Sequence, residues 1–234
     1  MIVSAHQPAY LPWLGLLHKA ALSDVFVLVD NVQFEKDSYI NRNRLRSPEG
    51  WRWLTVPVAS KGHLTSTIEH LRVMPGSWQR KHWTAFKMFY AKTPYFEGHA
   101  SFLERTYQQK WEFLADLCED MLRYLLEAFE IRPKLLRAST LGIEGYKTDY
   151  VLELCRKTDA STFVFGALGR NYADVERLEK EGIRAIFQDY CHPTYPQAYS
   201  GFEEGMNAFD LLMNVGPRSR EVLMSGNLTR EAMQ

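Results

Sequence analysis

Two short apolar runs constrain the fold more than any other feature of this chain. Residues 25–29 read VFVLV, a continuous apolar stretch of the kind found in strands buried on both faces. Residues 2–5 form a shorter apolar run at the start of the sequence. Between them Leu14, Leu17, His18 and Ala21 recur at i, i+3, i+4 and i+7, which predicts a helix from about residue 11 to residue 21. Strand, helix and buried strand in succession argue for a parallel sheet.

The remainder extends that pattern. Residues 162–165 predict a strand ending at Gly166, 173–181 a helix closed by Gly182, and 183–187 a further strand. A helix is expected at 149–157, and a last one at 206–214 before Gly216-Pro217. Residues 51–58 (WRWLTVPV) alternate and predict a strand, with 67–73 as its antiparallel neighbour. The segment 30–50 is too rich in charge to be core and reads as a polar loop. Residues 78–90 predict an amphipathic helix with Ser77 as N-cap, and 102–129 one or two long helices. A short apolar piece, 135–138, precedes Ser139-Thr140. The expected fold class is therefore α/β: a mostly parallel sheet with helices on both faces. Residues 1–234 are expected to form one domain, with a helical insertion at about 78–130 and a polar, frayed tail at 217–234.

Composition narrows the function classes. Lys plus Arg and Asp plus Glu are equal at 28 each, which argues against a bulk nucleic-acid binder. Three widely spaced cysteines, Cys118, Cys155 and Cys191, without a CxxC, are expected to be buried structural thiols in a reducing compartment. No apolar run approaches the roughly 20 residues that span a bilayer, and no signal segment is seen ahead of the first strand. The expectation is a soluble, cytoplasmic protein. Six tryptophans and 13% aromatic residues suit stacking on flat or sugar-like ligands, and equally a large core.

Five constellations fall at predicted strand ends, where open α/β sheets bind ligands. His6-Gln7-Pro8 with Tyr10 and Trp13 faces a helix start and reads as a ligand clamp or as a capped turn. Asp30-Asn-Val-Gln33 follows the next strand and reads as part of the same crevice or as an Asx-turn. Asn41-Arg42-Asn43-Arg44 offers guanidinium forks for phosphate or carboxylate, or forms a solvated loop; Lys61 could close over the same anion. Gly166-Ala-Leu-Gly169-Arg170-Asn171-Tyr172 permits close backbone approach to a phosphate, or is a tight turn. His192-Pro-Thr-Tyr195-Pro-Gln197 supplies a second candidate base. His6, Gln7, Asp30, Arg42, Asn171, Tyr172 and His192 are expected to line one cleft. His6 is expected to be neutral because a helix N-terminus disfavours imidazolium. The histidines have no metal-ligand spacing, and no GxSxG nucleophile occurs.

On these residues the chain resembles the WbqC-like protein family. The likeness runs from His6-Gln-Pro-Ala-Tyr-Leu-Pro-Trp13 through Asp30-Asn-Val-Gln-Phe, Asn41-Arg-Asn, Trp53-Leu-Thr-Val-Pro-Val, Lys147-Thr-Asp and Gly166…Tyr172. It continues through His192-Pro…Tyr195-Pro-Gln197 to Asp210-Leu-Leu…Asn214-Val-Gly216. The resemblance implies a place in bacterial surface-polysaccharide (O-antigen) biosynthesis. It implies a transferase that attaches an acyl or aminoacyl group, such as glycine, to a nucleotide-linked amino sugar. Gln7-Pro8 ahead of a helix is also similar to the FDPxHxGH segment of nucleotidylyltransferases, with Tyr10 and Trp13 where the two histidines belong. Asp30-Asn-Val-Gln-Phe is similar to a segment of pantothenate synthetase, an adenylate-forming amide ligase.

Three readings follow. The first is an enzyme forming an amide on a nucleotide-linked amino sugar: His6 or His192 takes the amine proton, Asp30 is a third catalytic candidate, and Arg42 and Arg44 hold diphosphate. Gln7, Tyr10, Trp13, Gln33, Asn41, Asn43, Lys61, Gly166, Asn171, Tyr172, Tyr195 and Gln197 complete that site. The second is a nucleotide-binding ligase or nucleotidyltransferase of another pathway, using ATP with Mg. The third is a non-catalytic binding protein of a glycan assembly complex. A homo-oligomer is compatible with all three.

Overall fold

The computed structural model describes residues 1–59 and 66–233; Lys61 lies outside them. The chain runs β1 (Ile2–His6), α1 (Leu14–Ala21), β2 (Val25–Leu28), β3 (Arg42–Ser47), β4 (Gly50–Thr55), α2 (Trp78–Tyr90), α3 (Phe96–Gln108) and α4 (Leu114–Ala128). It continues with β5 (Lys134–Arg137), α5 (Ala138–Leu141), α6 (Thr148–Lys157), β6 (Thr162–Phe165), α7 (Val175–Lys180), β7 (Arg184–Phe187), α8 (Ala208–Val215) and α9 (Ser219–Met224).

Five strands form one fully parallel sheet in the order β5-β2-β1-β6-β7, while β3 and β4 pair separately as an antiparallel hairpin. Along β2, Val25 and Val27 enter one hydrophobic cluster, Phe26 and Leu28 the other. That period of two puts an apolar layer on each face, as both-sided burial requires. Residues of α6 and α7 cover the first face; residues of α1, α2, α3, α4 and α8 cover the second. In chain order the strands lie 3-2-1-4-5, so the direction of winding reverses between β1 and β6. The expected α/β class with helices on both faces is what the chain adopts.

Several boundaries differ from expectation for identifiable reasons. Helix α1 begins at Leu14, not near residue 11. Leu11 precedes Pro12, which disfavours the helical region for the residue before it. Leu11 instead sits at φ 50°, with Trp13 extended. Segment 30–50 is not a loop throughout, because Arg42–Ser47 is strand β3. Asn43, Leu45 and Ser47 are buried from it, and the inward polar groups find partners: Asn43 Nδ2 donates to the Leu11 carbonyl at 2.5 Å. Residues 67–73 form no strand; Ile68–His70 is a short 3₁₀ turn, with Val58 and Val73 joined by one isolated bridge. The residues at 135–138 belong to edge strand β5 and the start of α5. Ser77 stands at the N-cap of α2, but its side chain makes no cap hydrogen bond.

The tail after Pro217 is not frayed. Helix α9 buries Leu223, Met233 is buried near the end, and Arg230 pairs with Asp24. Cys118 and Cys155 are buried as expected, whereas Cys191 is exposed. Among the described residues no helix is long and apolar enough to cross a membrane.

Candidate functional site

A cavity of about 1150 Å³ opens at the carboxyl edge of the sheet, where the winding reverses. Ala5, His6 and Gln7 line it from the end of β1, Phe165 and Gly166 from the end of β6, Gln33 from the turn after β2, and Gln188 from beyond β7. Crevices at this topological position are the usual ligand sites of doubly wound sheets, because neighbouring crossovers leave to opposite faces and cannot fill it. The start of α1 contributes Gly15 and Leu16 to the wall, and helix starts expose amides that favour anions.

Lys19 occupies the floor. It lies one turn after Gly15 on α1, is 4% exposed, and donates from Nζ to the Ala5 carbonyl at 2.8 Å. The β1–β6 ladder ends at Ser4↔Val164, so this ammonium takes the carbonyl just past the last rung. A Cβ added to Gly166 would come within 3.8 Å of Nζ, which places the ammonium between the two strand ends. No carboxylate among the described residues pairs with it. Burial pulls its pKa from 10.5 down to about 8. Lys147, on a φ of 52° at the start of α6, adds a second cation to the cavity wall.

His6 is held by Gln7. Its Nδ1 lies 2.8 Å from the Gln7 carbonyl, which can only accept, so Nδ1 carries the hydrogen and Nε2 the lone pair. Its pKa falls to about 3, chiefly by burial and next by the Lys19 charge. The expected neutral state is found, for a different cause. A conjugate acid of pKa about 3 makes the imidazole a weak proton acceptor at neutral pH. Edge-on contact with Trp13, centroids 4.9 Å apart, starts an aromatic row that continues through Tyr39 and Trp53 to Trp51 on the hairpin.

Of the residues named from sequence, His6, Gln7, Trp13, Gln33, Gly166 and Tyr172 line this cavity, and Arg44 lines a smaller chamber beside it. Asn31, Lys147 and Gly169 line the larger cavity too, whereas Asp30, Arg42, Asn171 and His192 do not, which corrects the expectation that these four share one cleft with His6, Gln7 and Tyr172. Tyr10 is fully buried, its hydroxyl 2.7 Å from His82 Nδ1 and 2.6 Å from the Tyr107 hydroxyl. Asp30 is buried at the start of α5, accepting from the Ser139 amide at 2.9 Å and its hydroxyl at 2.8 Å, so its oxygens serve the fold. Asn41 Nδ2 donates to the Val56 carbonyl. Arg42 pairs with Asp37 and lies 4.6 Å over the Trp53 ring. Asn171 is exposed on the 3₁₀ turn Ala167–Asn171. Tyr195 and Gln197 donate to the buried carboxylate of Asp210, which Tyr90 also bonds. His192 packs against Tyr195 and Phe202 outside both cavity walls, its Nδ1 3.0 Å from the Pro193 carbonyl.

Sequence reasoning missed Lys19 and Glu35, and named Lys147 only within a segment that carries the resemblance, without a role in the site. Lys19 had a signal, a lysine beside His18 in an otherwise apolar short helix ahead of a buried strand. Glu35 had none.

The profile of the WbqC-like protein family matches residues 7–222. The chain belongs to the WbqC-like family. The uncharacterized protein Rv1507c of Mycobacterium tuberculosis is 29% identical to this member over 223 residues, covering 94% of this chain and 96% of its own. No solved structure matches this WbqC-like chain.

Proposed function

We propose that this WbqC-like protein is an enzyme of bacterial surface-polysaccharide biosynthesis, acting in the cytoplasm on a nucleotide-linked amino sugar. It joins an acyl or aminoacyl group to the sugar amine as an amide. The observation that carries this reading is Lys19, a buried lysine without a carboxylate partner at the reversal point of the sheet. A buried, unpaired cation is costly to a fold and marks a site that receives an anion. With Lys147 and the start of α1 it suits the phosphates of a sugar nucleotide. Tyr172 and Tyr190 line the same wall and offer ring faces to base or sugar. A volume of about 1150 Å³ accommodates a ligand of that size. The amino sugar is taken from what the resemblance to the WbqC-like family implies, a place in surface-polysaccharide biosynthesis.

A thermal-shift panel of nucleotide sugars, ATP and amino acids tests the reading. A nucleotide sugar is expected to raise the melting temperature of the wild type and not that of Lys19→Met. A shift with ATP plus an amino acid identifies the acyl donor as activated by ATP. Wild type and Lys19→Met responding equally to every nucleotide sugar would reject the assignment.

A further inference from the structure

A second chamber, of about 480 Å³, adjoins the large cavity and shares His6, Gln7, Trp13, Glu35 and Leu168 with it. Its remaining wall brings in Arg44, Ser38 and Tyr39. The chamber therefore presents one guanidinium and one carboxylate, and neither Arg44 nor Glu35 pairs with an opposite charge among the described residues.

Arg44 is fixed for a ligand. It projects from β3 with its guanidinium 5.2 Å over the Trp51 ring, and one Nη donates to the Gly205 carbonyl at 3.0 Å. Its Nε is buried and has no hydrogen-bond partner. Gly205, at φ 71°, leaves room for this approach, since a Cβ there would collide with the Arg44 Nη2. Nη1, which is not among the buried atoms, makes no bond among the described residues, and a guanidinium immobilised at one end with that donor unspent suits a carboxylate oxygen. Glu35 is exposed and free to meet an ammonium. A phosphate in this chamber would meet the repulsion of Glu35, and a plain carboxylic acid would leave Glu35 unmatched. A zwitterion satisfies both charges. The volume suits a molecule much smaller than a sugar nucleotide.

We propose that the smaller chamber is a subsite for a free α-amino acid, its carboxylate on Arg44, its ammonium on Glu35 and its α-carbon against Trp13 and Tyr39. This rests on the reading of the large cavity as the nucleotide-sugar site and names its co-substrate class. The shared wall at His6 and Trp13 brings the two compounds together.

Calorimetric titration of the full chain with the twenty amino acids, glycinamide, N-acetylglycine and inorganic phosphate tests it, each with and without the nucleotide sugar selected above. At least one amino acid is expected to bind. Its amide and its N-acetyl derivative are expected to bind about tenfold or more weakly, since each lacks one charge. Arg44→Gln and Glu35→Gln should each weaken the amino acid by about tenfold or more. Glu35→Gln should improve N-acetylglycine relative to glycine. Because Glu35 is exposed, that variant folds even where Arg44→Gln does not. Nucleotide-sugar binding without binding of any amino acid, or phosphate bound more tightly than every amino acid, overturns the subsite alone. Amino-acid binding with no nucleotide sugar bound overturns the reading of the large cavity instead.

Discussion

Lys19 shows how one residue can oppose stability and serve binding. Its pKa near 8 against 10.5 in free lysine means that the fold disfavours its charge by about 3 kcal/mol, partly offset by the hydrogen bond to Ala5. Between pH 8 and 10.5 the unfolded chain holds this proton and the folded chain does not, so its contribution to stability improves as pH rises through that window. Binding has the opposite dependence. A phosphate beside the ammonium raises its pKa, so affinity is flat below pH 8 and falls above it, by up to about tenfold per pH unit. Titrating UDP calorimetrically at pH 7, 8 and 9 should show that decline in the wild type and a weak, flat profile in Lys19→Met. The same variant should melt no lower than wild type at pH 7, since an apolar side chain replaces a buried charge. A melting temperature well below wild type would instead make Lys19 a structural group.

At the scale of elements, the site depends on how the β3–β4 hairpin grips the segment between β1 and α1. Asn43 donates to the carbonyl of Leu11, a residue in the left-handed region, and accepts from the Arg44 amide at 2.7 Å. Asn43→Ala leaves that buried carbonyl without this partner, at a cost of about 2 kcal/mol, or roughly 4–8 °C in melting temperature. It should also weaken ligands of both cavities, because Trp13 lines both; Lys19→Met should affect the larger alone. Unchanged binding in Asn43→Ala would separate the hairpin from the site. The same contrast explains what was legible. Thr162–Phe165 could be read from sequence because it is apolar on both faces, and the His6-Gln7 turn because strand ends at a reversal point face a crevice. Strand β3, RNRLRS, could not, since its inward Asn43 is acceptable only once the Leu11 carbonyl is in place. Asp30 and Tyr10 looked like site residues for the converse reason. A polar group at a strand end satisfies buried partners as readily as it meets a ligand, and only tertiary contacts distinguish the two.

Over the whole molecule, buried imidazoles dominate the response to acid. Burial is the leading cause in each case: His6 is lowered from 6.5 to about 3 and His82 to about 4, while His18, His99 and His192 are lowered as well. These groups are neutral in the folded chain and take up protons when it unfolds. Their contribution to stability is therefore fully present above pH 6.5 and is lost as pH falls below it. His6 and His82 alone account for about 3 kcal/mol per pH unit once both are inside the window, at roughly 1.4 each. Asp210, whose pKa is raised by burial, works the other way: its stabilising contribution grows on the acid side. The equal numbers of acidic and basic residues, 28 each, leave little net repulsion at pH 7 to obscure the trend. Melting curves at pH 7.5, 6.5, 5.5 and 5.0 should show little change between the first two and a steep decline after. The double variant His6→Gln, His82→Gln, which removes two of the proton-binding groups, should decline less steeply even if it starts lower. Parallel curves for wild type and the double variant would mean that these two imidazoles are solvated in solution and that acid acts through the carboxylates.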